Sequence, residues 1–362
     1  MKILCMMLIL LMLLPTFAQA EDFIPNSRNL PAELAQIPEA YFQPCDTPGT
    51  MVRLDYDTWE SFSYESKTYP LRKTAWVYLP YGYSEDVQYN IMYFMHGGWS
   101  NKTTQMGIDE RPSYMRHVVD HAIADGLMQP MIIVCPTYNN TSPEDSGDYG
   151  LALQLTDQYH NELLYDLMPA VESKYSTYAE DTTPEGLHAS RDHRGFCGFS
   201  MGSVTTWRTF EHCLPYFRYF MPMSGSLTTN AAYMDAIVHS YGYDWNDYFL
   251  FTASGTADFA YSAFKRQVDN MAASDSSYFR MADNEAEGSM AYRELEGATH
   301  SRSAMMVYVY NAVPIVAKAE AAASSLFFMP RRCRGSASPS NSASAPSASR
   351  RMSAMSLPTF QK

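Results

Sequence analysis

Long apolar runs, closely spaced cysteines and clustered bases are scarce in this 362-residue chain, and each scarcity removes a class of protein. No apolar stretch reaches the roughly 20 residues that a membrane span needs. The run Ile3 to Leu14 follows Lys2 and precedes Pro15 and the small-residue site Ala18-Gln19-Ala20. That is the pattern of an export signal removed before Glu21. Residues 1–20 are read as a signal peptide, and the mature protein is expected to be secreted, extracellular or periplasmic, with no membrane partner afterwards. Cys5 falls inside the signal, which leaves Cys45, Cys135, Cys197, Cys213 and Cys333. The number is odd and no pair has zinc-ligand spacing, so neither a disulfide scaffold nor a zinc site is expected. Cys135, Cys197 and Cys213 read as buried free thiols. Asp-rich calcium loops are also missing.

Bases number 26 against 39 acids. Seven of the bases stand outside the body: Lys2, and Arg331, Arg332, Arg334, Arg350, Arg351 and Lys362 in a segment without a single acid. The body is therefore strongly acidic, which repels phosphate backbones and excludes nucleic acid as its partner.

What is present is a globular composition, 46% hydrophobic, with 27 tyrosines. The tyrosines fit core and rim positions, some of them able to stack on sugar or aromatic ligands. Residues 21–40 read as a polar lead-in. Strand patterns then cover Met51 to Tyr56, Thr74 to Leu79, Tyr89 to Met95, Met131 to Cys135, Arg194 to Phe199, Phe217 to Met223 and Tyr248 to Ala253. Helical spacing covers 113–126, 157–174, 201–213 and a last helix from Ser303. Buried strands alternating with helices predict one α/β domain over 41–318, with a mostly parallel sheet covered on both faces. Residues 319–362 turn rich in Ser, Ala and Pro and are expected to be a disordered basic tail.

Gly198-Phe199-Ser200-Met201-Gly202 is a G-x-S-x-G sequence placed between a predicted strand and a predicted helix, as a nucleophile elbow requires. Ser200 would stand at a helix N-terminus, where backbone N–H groups favour an anion. A nucleophilic serine needs an oxyanion hole, with one donor from the residue after it, Met201, and another from a loop after an earlier strand. His96-Gly97-Gly98-Trp99 supplies that loop, with Gly98 favoured over Trp99 as donor and His96 in a structural hydrogen bond. The chain order Ser, acid, His leaves His212, His239 and His300 as bases. His212 lies three turns into the elbow helix, and His239 precedes the best-placed acid, Asp258, in the turn after Phe249 to Ala253. His300 is the base that remains in order; Asp269 and Glu296 stay as rival acids. Trp99, Tyr138 and Trp207 are candidates for contacts with substrate.

Together, His96-Gly97-Gly98-Trp99, the elbow with Arg194 before it, Gly255-Thr256-Ala257-Asp258 and the late His300 resemble the esterase-D-like group of α/β hydrolases. Within it the chain most resembles the feruloyl esterases of carbohydrate esterase family 1, from about Tyr41 to Lys318. The resemblance implies a single α/β-hydrolase domain and a secreted serine esterase that releases ferulate or related cinnamates from arabinoxylan. The catalytic residues would be Ser200, Asp258 and His300, with no metal or organic cofactor and a feruloylated polysaccharide or oligosaccharide as substrate. The same family also holds acetyl-xylan and siderophore esterases and acyltransferases, so fold transfers more safely than substrate. A carbohydrate-binding protein with a decayed site is the reading from another class, and retention of all three triad residues argues against it.

Overall fold

The strand Asn90–Met95 is buried at all six positions. Its side chains divide by pleat, with Ile91, Tyr93 and Met95 in one core and Met92 and Phe94 in another. A strand that is apolar on both faces needs a covering layer on each side, and this sets the architecture. The computed structural model describes residues 27–316. The expected signal peptide, residues 1–20, and the tail, residues 319–362, lie outside the described residues.

Eight strands form the main sheet: β1 (Thr50–Trp59), β2 (Pro70–Leu79), β3 (Asn90–Met95), β4 (Met131–Cys135), β5 (Arg194–Phe199), β6 (Tyr219–Met223), β7 (Phe249–Gly255) and β8 (Met290–Leu295). Their spatial order is β1-β2-β4-β3-β5-β6-β7-β8. The β1–β2 and β2–β4 pairs are antiparallel and all the others parallel. The principal helices are α1 (Tyr114–Ala124), α2 (Tyr149–Glu162), α3 (Met201–Cys213), α4 (Ala231–Ser240), α5 (Tyr261–Ala272) and α6 (Arg302–Val316). Helices α1 and α6 cover one face through Met115, Val118, Met305 and Tyr308. The other four cover the opposite face through Leu155, Trp207, Met234 and Phe264. The chain therefore has the mostly parallel α/β-hydrolase sheet that its pattern predicts.

Three features differ from the sequence reading. The helix expected over 157–174 begins at Tyr149, where the Asp148 carboxylate caps the Leu151 N–H at 2.9 Å. It then passes through a π-turn, Leu163–Leu167, into Met168–Glu172. One extra residue in that turn shifts the helical phase, so the leucine stripe does not project back onto the first turns. Second, β8 and the helices α4 and α5 lack a pattern strong enough to single them out; β8 is an edge strand buried only at its start. Third, the lead-in docks on the body. Leu30 and Leu34 are buried in the α1/α6 core, and Ala35 N–H donates to Asn311 Oδ1 at 2.8 Å.

Cys135, Cys197 and Cys213 are buried and free, and burial pushes the Cys135 thiol up to about 12. At the start of β5, opposite the end that carries the elbow, Arg194 and Glu172 form a fully buried pair. The guanidinium Nε and Nη2 reach the two carboxylate oxygens at 2.7 Å each. Nη1 donates to the Leu187 and Tyr216 carbonyls, and Tyr93 donates its hydroxyl to Glu172 at 2.9 Å. Every group is satisfied, so the pair is tolerated in a low-dielectric site, and removing either charge strands the other.

Glu172→Gln is expected to lower the unfolding free energy by about 3–5 kcal/mol. Asp57→Asn, which breaks the exposed Arg72–Asp57 pair, should cost no more than about 1 kcal/mol. Urea unfolding of the two variants side by side checks the contrast.

Candidate active site

The parallel strands end level with one another. Met95 pairs with Gly198, Phe199 with Met223, Met223 with Ala253, and Gly255 with Leu295. The segments leaving those ends carry His96 to Trp99, Ser200, Ser224, Asp258 and His300, so residues spread over two hundred positions meet at one sheet edge.

Ser200 sits at φ 61°, ψ −121°, in the left-handed region that a side chain rarely adopts. Its N–H donates to Met223 O at 2.9 Å, which holds the turn. A Cβ on Gly202 would lie 2.6 Å from Met95 O and 2.8 Å from His96 O. Only a glycine allows α3 to approach the β3 end so closely. Among the described residues, three of the four non-glycine residues at positive φ are Trp99, Ser200 and Ser224, so backbone strain gathers at this edge.

Asp258 and His300 are joined directly. His300 Nδ1 lies 2.8 Å from each Asp258 carboxylate oxygen, so Nδ1–H donates and Nε2 is left as the basic nitrogen of the neutral ring. Burial by itself would raise the Asp258 carboxyl. Hydrogen bonds from His300, the Ala260 N–H at 2.8 Å and the Ser224 hydroxyl outweigh it and hold the group below its ordinary range. Asp269 is committed elsewhere, accepting from Lys265 on the exposed side of α5, and Glu296 is exposed. The imidazole also touches the rings of Phe199 and Phe259, with centroids 4.4 and 4.3 Å away. Ser200 Oγ has no hydrogen-bond partner among the described residues, and Phe199, the residue before it, packs against the His300 ring.

The loop opposite Ser200 is set by a buried relay. Glu162 accepts from Lys73 Nζ at 2.6 Å, and Lys73 also donates to Thr137 O at 2.9 Å. Thr137 Oγ1 and His96 Nε2 are 2.7 Å apart, and His96 Nδ1 is 2.7 Å from Gly97 O. A carbonyl can only accept, so Nδ1 carries the hydrogen, Nε2 is the acceptor, and Thr137 donates to it. The Tyr138 hydroxyl gives Gly97 O a second donor at 3.1 Å. In a planar trans peptide, C=O and N–H point in opposite directions. Pinning Gly97 O inward therefore turns the Gly98 N–H outward. Trp99 N–H is taken by Ser146 O at 2.9 Å. Among the described residues neither the Gly98 nor the Met201 N–H has a protein partner. A Cβ on Gly97 would be 3.9 Å from Ser200 Oγ, so this loop passes directly against the serine.

The three candidates for substrate contact separate. Trp99 is 76% exposed beside the loop. Trp207 is 0% exposed, with its Nε1 donating to Gly225 O at 3.0 Å; it is a core residue, which corrects the expectation of a substrate contact. Tyr138 is 1% exposed and stacked on His96 at 4.6 Å. Its assignment is corrected as well, from a contact with substrate to a support for the loop. Ser224 and Phe259 carry no motif, and only the fold reveals them. Among the described residues the one grouping with metal-ligand character is Asp157, Glu211 and His212. There Arg208 already spans both carboxylates, at 3.0 and 2.6 Å.

The Esterase family ("Putative esterase") matches residues 66–278. Endo-1,4-beta-xylanase Y of Acetivibrio thermocellus is 36% identical over 283 residues, covering 76% of this chain and 24% of that protein. An endo-1,4-beta-xylanase/feruloyl esterase of Xylanibacter ruminicola is 28% identical over 139 residues, 37% of this chain and 17% of that one. The chain thus spans a quarter or less of the length of these curated relatives. A solved serine-to-alanine mutant of the feruloyl esterase module from Clostridium thermocellum, complexed with sinapinate, superposes with a TM-score of 0.69 at 33% identity. That match covers 81% of this chain and 95% of the module. A ferulic acid esterase of carbohydrate esterase family 1 from Anaeromyces mucronatus has a TM-score of 0.56 at 18% identity, covering 79% and 97%, a likeness of fold alone.

Tyr138→Phe removes one of the two donors on Gly97 O. Losing one neutral hydrogen bond should lower kcat for ester cleavage by about fivefold with KM little changed, which steady-state kinetics on one ester will read. His96 generates a second expectation. Burial, with Lys73 nearby and against the Gly97 hydrogen bond, pushes its pKa down to about 4. The unfolded chain takes up this proton near 6.5 and the folded one does not. Stability is therefore lost as pH falls from about 6.5 to about 4, by at most about 1.4 kcal/mol per pH unit, and levels off below. In His96→Gln that part of the slope should vanish, as urea unfolding at pH 7, 5.5 and 4.5 will test against wild type.

Proposed function

The chain belongs to the Esterase family and is a carboxylic ester hydrolase, and from that premise we propose that it releases ferulate or a related hydroxycinnamate from plant cell-wall arabinoxylan through Ser200, His300 and Asp258. The observation that carries the mechanism is the pairing of His300 with the buried Asp258, its ring packed on Phe199 next to a serine held at positive φ. The substrate class is supported by the sinapinate-bound feruloyl esterase module, 95% of whose length this chain matches. Support also comes from the xylanase names of the curated relatives.

The steps follow from the roles. Ser200 Oγ attacks the ester carbonyl while its proton passes to His300 Nε2, and Asp258 orients the ring and offsets its new charge. The tetrahedral oxyanion accepts hydrogen bonds from the Gly98 and Met201 N–H groups, whose positions are set before substrate arrives. The bond from acyl carbon to sugar oxygen breaks, and that oxygen takes the proton from Nε2. The acyl group is left on Ser200. Water then gives a proton to Nε2 and attacks the acyl carbon, and Ser200 recovers the proton as the acid departs. No step calls on a metal or an organic cofactor. The export pattern of residues 1–20 supports a secreted enzyme, placed where the polymer is.

Ser200→Ala should lower kcat on any accepted ester by about a thousandfold or more while the fold is retained. Wild-type protein should cleave methyl ferulate and feruloylated arabinoxylan oligosaccharide with higher kcat/KM than acetylated xylan. A tenfold preference for acetylated xylan would overturn the hydroxycinnamate assignment.

A further inference from the structure

Phe259 is 82% exposed, the most exposed of the large apolar side chains among the described residues. A phenyl ring left in water gains nothing for the fold, since burial is where aromatic area stabilises. Yet its placement is specific. It follows Asp258 directly, and its ring lies 4.3 Å from the imidazole of His300 at 39°. Phe259 is not needed to hold that imidazole in place. The Asp258 carboxylate already fixes Nδ1, and the largely buried Phe199 already supports the ring at 4.4 Å.

We propose that Phe259 is the stacking platform for the sugar ring of the leaving alcohol. The inference rests on the esterase reading above and adds a subsite to it. During acyl-enzyme formation His300 Nε2 hands its proton to the departing sugar oxygen, so that oxygen must come within about 3 Å of the imidazole. The ring carbons attached to it then lie in the same shell around His300 that Phe259 occupies. The acyl half is engaged separately, its oxygen on the Gly98 and Met201 amides. A phenyl face offers no polar atom, so what it can recognise is the C–H face of a pyranose or furanose, leaving the hydroxyls in water. With the arabinoxylan substrate proposed above, that ring is a pentose, met by shape and not by hydrogen bonds.

The test measures kcat/KM on methyl ferulate and on a feruloylated arabinose-bearing oligosaccharide, for wild type and for Phe259→Ala, Phe259→Leu and Phe259→Trp. Phe259→Ala should lower the ratio of oligosaccharide to methyl ester by about tenfold, the scale of one aromatic contact, and mainly through KM. Phe259→Trp should keep the wild-type ratio, and Phe259→Leu should fall between, because it keeps apolar bulk without the π face. Equal losses on both esters would overturn the proposal by showing that Phe259 acts through His300, and an unchanged ratio would overturn it outright. Wild type inactive on both esters would remove the esterase reading and this subsite together. An active wild type with an unaltered ratio removes the subsite alone. Because the residue is exposed, matching thermal midpoints of the variants provide the folding control.

Discussion

The level ending of parallel strands is the constraint on which the rest depends. In β3, β5, β6, β7 and β8 the hydrogen-bond register brings Met95, Gly198, Met223, Ala253, Gly255 and Leu295 to a common edge. β3, β5, β6 and β7 are buried at every position, too deeply to slip, because a one-residue shift would exchange their two packed faces. The segments that follow are consequently delivered to fixed points, and short loops suffice to bring a serine, a carboxylate and an imidazole together. Precision at the site is thus inherited from packing that has no chemical role.

A second layer of order comes from groups that never meet a substrate. Lys73 and Glu162 are both buried, and each is tolerated there because the other is present. Their position feeds Thr137, then His96, then the carbonyl of Gly97. Asn139 and Ser146 complete the frame, with Ser146 N–H donating to Asn139 Oδ1 and Ser146 Oγ donating to Ser100 O. In the proposed mechanism, an amide aimed by such a frame has no orientation left to find when charge develops on a carbonyl oxygen. Preorganisation of that kind acts in the transition state without a cost at the moment of reaction.

Local signals in the sequence carry a good part of this. The elbow is readable because five adjacent residues must satisfy one tight turn, and chain order narrows the acid and base to few positions. Arg194 to Phe199 and Met131 to Cys135 are readable because strands buried on both faces are continuous apolar runs. Residues whose role depends on distant partners are not readable. Tyr138 and Trp207 are both aromatic, and nothing in composition tells that one holds a loop carbonyl and the other a core carbonyl. Ser224 is one serine among many until β6 and β7 place it against Asp258. The first turns of α2 escape notice because the π-turn at Leu163–Leu167 breaks the helical period that would have marked them. Leu30 and Leu34 look like a polar lead-in's stray leucines until the core that α1 and α6 cover receives them.

The left-handed backbone at Trp99, Ser200 and Ser224 has a consequence for how such a chain can change. Each such residue costs on the order of 1–3 kcal/mol, a sizeable share of the margin by which a domain of this size stays folded. Selection for thermal endurance alone would favour glycine at all three places, relaxing the turns and discarding the hydroxyl and the indole with them. The three side chains therefore carry backbone strain that glycine would relieve, all of it at the edge where the serine stands. Hardening the protein without blunting it means reinforcing the far end of the sheet, around Arg194 and Glu172, and leaving the strained edge alone.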